Sequence, residues 1–101
     1  MENNFLKIVE ILDSEFGLDR GSIFLTTDLQ SDLNIYGDDA SEFISLFAKR
    51  FNVDIKYFNF DEYFKGEGFS LMEFLGLKAV PVYKKLLIRD LVRAVELGYL
   101  K

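Results

Sequence analysis

Apolar residues recur at helical spacing in three separate stretches of this sequence, and that pattern constrains the fold more than any other feature. A helix with one apolar face is stable only when that face is buried against another element. The pattern therefore predicts an all-α fold over a single domain of residues 1–101, a small bundle of three longer helices plus one or two short ones. The apolar residues are Phe5, Ile8, Val9, Leu12 and Phe16, then Ala40, Phe43, Ile44, Phe47 and Phe51, then Ile88, Leu91, Val92 and Val95.

Polar residues and glycines mark the ends of these helices. Gly17 and Gly98 each follow an apolar stretch, and glycine readily takes the left-handed conformation in which many helices end. Asp39 and Glu42 have the spacing of a capping box, which predicts that the second helix begins around Asp39.

The connections between the helices carry weaker patterns. Residues 18–37 lack a helical period and predict a long ordered loop, with room for one helical turn near Asp28–Leu33. Residues 53–57 alternate between apolar and charged side chains, which fits either one short strand pair or an extended connection. Short helices are predicted from Asn59 to Gly66 and from Ser70 to Gly76, because each segment has a capping pattern at its start and a glycine at its end.

The composition excludes several chemistries. The chain has no cysteine, so disulfides and thiolate sites are ruled out. It has no histidine, which removes the commonest general base and the usual zinc ligand. No phosphate-binding loop motif is present. The composition therefore favours a protein that binds another macromolecule over an enzyme, and it favours no metal site.

The formal net charge of −5 constrains the partner. Nucleic acids and anionic membrane surfaces would repel such a chain, whereas a basic protein would be attracted to it. No apolar stretch approaches the roughly 20 residues that span a bilayer, and the first residues do not resemble a secretory signal. We therefore expect a cytoplasmic protein with a basic protein partner, and with no nucleic acid or membrane partner. The oligomeric state stays open.

Two further patterns each allow a functional interpretation and a structural one. Residues 32–37 begin like a calcium loop, but Tyr36 and Phe43 stand where such a loop needs ligands, so an ordinary turn is favoured. Seven aromatic residues crowd together in residues 57–74. They either belong to a phenylalanine-packed core or form a surface patch for a partner.

The run from Asp39 to Ile55 resembles the second helix of acyl carrier proteins, which ends in Phe-x-aliphatic-x-Ile as residues 51–55 do here. A long loop with an Asp-Leu pair precedes that helix in carriers, and Asp32-Leu33 matches the pair. Segments that include 37–40, 47–54 and 90–94 are also similar to a small bacterial family of acyl-carrier-like proteins of unknown function. The resemblance implies a carrier-type bundle that binds partner proteins through the acidic start of its second helix, where this chain has Asp38, Asp39 and Glu42.

The resemblance breaks at the residue that defines a carrier. Acyl carriers have a serine at the start of the second helix, since its hydroxyl receives phosphopantetheine, and that position falls at Gly37. Asp38 and Asp39 also place fixed negative charge where the phosphate of that cofactor would lie. The sequence therefore predicts a non-catalytic, carrier-like module that binds a partner protein and holds no phosphopantetheine.

Two alternatives stay open. Ser41 lies near the start of the helix and could receive phosphopantetheine, which would make the chain a genuine acyl or peptidyl carrier. The chain could instead be an immunity- or antitoxin-type inhibitor, because an acidic surface speeds the encounter with a basic toxin.

Overall fold

The structure is a computed structural model that describes residues 2–64 and 83–101. Within these residues it contains four α-helices: α1 (Glu2–Phe16), α2 (Gly37–Phe51), α3 (Phe60–Tyr63) and α4 (Ile88–Leu97). The same residues contain isolated β-bridges and no β-strand. The predicted helical fold with three longer helices is thus confirmed, while the short helix expected between Ser70 and Gly76 lies outside the described residues.

The glycines end the first and last helices as predicted. Gly17 and Gly98 have φ angles of +69° and +87°, in the left-handed region. The short α3 ends earlier than expected, since Phe64 follows it in extended conformation.

The start of α2 differs from the prediction. The helix begins at Gly37, and Tyr36 is its N-cap without a side-chain capping hydrogen bond. Asp39 therefore already lies in the first turn, and the predicted capping box of Asp39 and Glu42 is wrong. The physical reason is Gly37, whose φ of +58° turns the chain into the helix ahead of Asp39.

The long connection between α1 and α2 is ordered by its own hydrogen bonds. A 3-10 turn at Arg20–Ser22 follows α1, and a hydrogen bond from the Arg20 guanidinium to Asp13 raises the pKa of Arg20 and ties this turn to α1. Near Asp28–Leu33 the predicted helical turn appears as successive hydrogen-bonded turns. The backbone N–H of Asp32 donates to the Asp28 carbonyl at 3.1 Å.

Residues 53–57 contain no strand: Asp54 makes an isolated bridge, and residues 56–57 form a turn in which the Phe58 N–H donates to the Ile55 carbonyl at 3.1 Å. The alternative of a strand pair is therefore wrong for them, and the connection is extended only in part. A single parallel bridge joins Asp54 to Tyr99. The Asp54 N–H donates to the Gly98 carbonyl at 3.0 Å, and the Leu100 N–H donates to the Asp54 carbonyl at 2.9 Å. These two hydrogen bonds join the segment that follows α2 to the segment that follows α4.

The core lies between α1, α2 and α4, as the apolar stripes predict. Phe43 and Phe47 are completely buried, and the Phe16 ring meets the Phe43 ring edge-on at 6.0 Å between centroids. The predicted inward residues at the helix ends, Phe5, Phe16, Phe51 and Val95, are only partly buried and pack against this core.

Candidate functional site

The three predicted partner-binding residues lie together at the start of α2. Asp38, Asp39 and Glu42 are all exposed, whereas Gly37 and Ala40 between and beside them are buried. Residues three and four apart are neighbours on a helix surface, so Glu42 lies next to both aspartates. We call Asp38, Asp39 and Glu42 the acidic helix start. Its carboxylates form one solvent-facing anionic surface.

The charges of α2 are separated along its axis. Lys49 and Arg50 occupy the last turn, and the 15-residue helix is about 22 Å long. Asp39 and Glu42 form no ion pair with another residue of the described ranges. Both carboxylates are therefore available to a cation on a partner.

Gly37 is the residue at which the sequence resemblance predicts the attachment serine of an acyl carrier. Its backbone has φ +58°, and the residue is buried. A side chain at such a φ is strained, because its Cβ approaches the following carbonyl oxygen. The conformation of the chain at Gly37 therefore favours glycine over serine.

Ser41 is the alternative attachment residue, and the structure places it on the exposed surface of α2. It lies one helical turn after Gly37. Its side chain reaches solvent, but it is displaced from the end of the helix.

A buried carboxylate that sequence reasoning missed lies in the loop before α2. Asp28 is 6% exposed and accepts three hydrogen bonds. Its Oδ1 accepts from the Leu86 N–H at 2.8 Å, and its Oδ2 accepts from the N–H and hydroxyl of Ser31 at 2.7 and 2.8 Å. An Asp with a Ser three residues later is a recognisable local turn signal, but nothing in the sequence points to Leu86.

The start of α4 is held by the same loop. The first N–H groups of a helix have no partner inside it. Here the Ile88 and Arg89 N–H groups donate to the carbonyls of Thr27 and Leu25, both at 3.0 Å. The Leu87 N–H donates to the Asp90 carboxylate at 2.9 Å. This helix start is therefore structural, since its donors are already used.

The aromatic segment divides between core and surface. Phe64 is 2% exposed, whereas Tyr57 is 74% exposed. Phe58 and Tyr63 are partly buried and stack on each other with centroids 5.0 Å apart. Phe64 therefore belongs to the core and Tyr57 to the surface, whereas the surface patch for a partner stays a prediction. Phe69 and Phe74 lie outside the described ranges.

The calcium-like segment uses its first acid locally. The Asp32 Oδ2 accepts a hydrogen bond from the Asp28 N–H at 2.8 Å. Across residues 2–64 and 83–101, no group of three or more acidic, histidine or cysteine side chains is arranged to hold a metal ion.

The described residues thus define a small helical domain with an exposed acidic surface at one helix start, and none of its described helices has the length and apolar character to cross a membrane. The model of a protein family described as protein of unknown function (DUF1493) matches residues 5–99, and the chain belongs to that family. No curated protein and no solved structure matches the chain.

Proposed function

We propose that this protein is a non-catalytic, acyl-carrier-like module that binds a basic partner protein through Asp38, Asp39 and Glu42 and carries no phosphopantetheine. The observation that carries the proposal is Gly37. It stands at the carrier's attachment position, has no hydroxyl, and adopts a backbone conformation that disfavours a serine. The chain keeps the acidic surface of a carrier and lacks its reactive group.

The exposure of the acidic helix start supports the binding part of this proposal. All three side chains reach solvent on two successive turns of α2. Grouped charges of one sign attract a partner of opposite sign and speed the encounter, even where each single pair adds little affinity. A partner with lysine or arginine residues in a matching arrangement would complement them.

The absence of phosphopantetheine is tested by intact mass. The purified protein is incubated with coenzyme A and a broad-specificity phosphopantetheinyl transferase, with a known acyl carrier protein as the positive control. We expect the control to gain mass and this protein to gain none. A stoichiometric adduct would overturn the proposal.

The accessible hydroxyl of Ser41 supports a second candidate, a genuine carrier with a displaced attachment residue. The same incubation with Ser41→Ala separates the two candidates. If the natural chain gains mass and the variant does not, Ser41 is the attachment site and the chain is a carrier. The proposed module predicts no mass gain for either protein.

The binding surface is tested by charge reversal. The variant with Asp38→Lys, Asp39→Lys and Glu42→Lys should lose at least about tenfold in affinity for a partner purified with the natural chain. The matched control carries Glu15→Lys, Asp61→Lys and Glu96→Lys, three exposed acids elsewhere.

Each reversal adds two charges, so both variants have a net charge of +1 instead of −5. A loss confined to the first variant supports the acidic helix start. An equal loss in both would show that only total charge matters, and the proposed surface would be wrong. Circular dichroism should show equal helix content in all three proteins.

A further inference from the structure

An apolar groove lies at the start of α1, and none of its lining residues belongs to the acidic helix start. It has a volume of about 560 Å³ and is lined by Glu2, Phe5, Phe24, Leu25 and Thr26. Phe24 is 61% exposed and Leu25 is 39% exposed. Adjacent large apolar side chains that stay exposed to solvent are energetically unfavourable. Such patches are typical of binding surfaces.

The backbone that presents Phe24 and Leu25 is held in place by several hydrogen bonds. The Thr27 N–H donates to the Phe24 carbonyl at 3.0 Å, and the Phe24 N–H donates to the Thr27 hydroxyl at 2.8 Å. The Arg89 N–H also donates to the Leu25 carbonyl at 3.0 Å. Turns usually carry glycine, asparagine, aspartate, serine or proline, whereas this turn carries two large apolar residues. A surface fixed in this way loses little conformational entropy on binding.

The size and charge of the groove indicate its occupant. Five residues line the groove, whereas each side of a stable interface has about 20–30 residues. The groove therefore fits a short segment better than a second copy. Its lining surface is almost wholly apolar, so Glu2, its one charged lining residue, contributes its aliphatic carbons, and its carboxylate is exposed beside the groove. The whole chain has a net charge of −5. The complementary ligand therefore has an apolar side chain with a cation beside it.

We propose that this groove is a docking site for a short amphipathic segment of a partner protein, in which an aliphatic or aromatic side chain lies next to a lysine or arginine. The apolar side chain packs between Phe5, Phe24 and Leu25, and the cation faces the Glu2 carboxylate. The inference does not rest on the acidic helix start, because it uses different residues and a different kind of contact.

The test uses two amphipathic helical peptides as probes. The first has leucines along one face and lysines along the other, and the second has glutamates in place of the lysines. Binding to the full chain is measured by calorimetry, and the contact site is mapped by amide chemical shifts. We expect the lysine peptide to shift the amides of Phe5 and residues 24–27, and the glutamate peptide to bind at least about tenfold more weakly.

A matched pair of variants locates the contact. Phe24→Ser with Leu25→Ser should weaken the lysine peptide at least about tenfold, because the apolar wall is removed while the backbone hydrogen bonds remain. Tyr57→Ser with Leu97→Ser, which removes exposed apolar side chains elsewhere, should leave binding unchanged. Unfolding midpoints of both variants check that each one is folded.

Four outcomes would overturn the proposal. Shift changes confined to the acidic helix start would mean that the lysine peptide binds by charge at α2, and equal binding of both peptides would remove the role of Glu2. Sedimentation of the natural chain as a dimer that the Phe24→Ser, Leu25→Ser variant abolishes would make a second copy the occupant. Binding to zwitterionic vesicles that is lost in the same variant would make a lipid surface the occupant.

Discussion

At Gly37 the backbone conformation decides which residues the position accepts. The residue has φ +58° at the first position of α2, where nearly every other residue type is strained. The local structure at this residue therefore suits glycine, which supports the proposal that no attachment serine stands here.

Gly37→Ala should lower the free energy of unfolding by about 1–2 kcal/mol, because the Cβ of alanine is strained in the left-handed conformation and glycine has no Cβ. Urea unfolding followed by circular dichroism measures the change. Gly21→Ala is the matched control, since Gly21 does not have a positive φ and an added Cβ would meet the nearest atom, Asp19 Oδ1, at an ordinary 3.5 Å. Equal stability of the Gly37→Ala variant and the natural chain would show that the left-handed conformation at Gly37 is not required.

Asp28 is the second residue whose role depends on its surroundings. Its carboxylate joins the loop before α2 to Leu86, 58 residues later in the chain. Asp28→Ala should cost about 2–4 kcal/mol, because it leaves the buried Leu86 N–H and the part-buried Ser31 N–H without acceptors. Thermal and urea unfolding measure this change. The control Glu96→Ala removes an exposed acid and should change stability by less than about 0.5 kcal/mol, and a similar small effect for Asp28→Ala would contradict the structural role.

At the scale of elements, α2 and α4 begin in different ways. The N-cap of α2 is Tyr36, which makes no side-chain capping bond. The start of α4 is held by Asp90 and by the carbonyls of Leu25 and Thr27. The sequence pattern suggested a capping box at the wrong helix, because Asp-x-x-Glu spacing occurs by chance wherever acids are common. The helix with a side-chain bond at its start has an apolar N-cap, Leu87, that gives no sequence signal.

Asp90→Ala should destabilise the protein by about 1 kcal/mol, because the Leu87 N–H loses its acceptor at the start of α4. Asp39→Ala in the first turn of α2 is the comparison, since it removes an acid that makes no capping bond. Its expected cost is a few tenths of a kcal/mol, from the helix dipole alone. Equal costs in urea unfolding would mean that the Asp90 bond contributes nothing beyond the dipole.

At the scale of the whole molecule, two pairs of backbone segments hold the helices in place. Residues 25–29 bond to residues 86–89, and Asp54 bonds to Gly98 and Leu100. These contacts join parts of the chain that are far apart in sequence. The acidic helix start and the groove beside Phe24 both face solvent.

Leu100→Ala tests the second of these pairs. Leu100 is 7% exposed and belongs to the core, so its truncation should cost about 2–3 kcal/mol. Leu97→Ala, at a leucine that is 51% exposed, should cost less than about 1 kcal/mol. Comparable losses for the two substitutions in thermal unfolding would show that the contact around Leu100 does not contribute to the core.

The sequence by itself determined the helical class, the three apolar faces and the glycine ends of α1 and α4. These features depend on periodicity and on the local conformational freedom of glycine, and both are properties of neighbouring residues. It also determined that Asp38, Asp39 and Glu42 would share one end of α2, because helical spacing alone brings them together.

Only the tertiary structure decided the rest. The burial of Asp28, the satisfied start of α4 and the exposure of Phe24 and Leu25 each depend on contacts between distant segments. Side-chain type does not specify such contacts, because an aspartate or a phenylalanine in a loop is equally compatible with solvent and with a buried partner. The left-handed conformation of Gly37 belongs here as well, since many glycines in loops have ordinary φ angles and only the path of the chain into α2 requires this one.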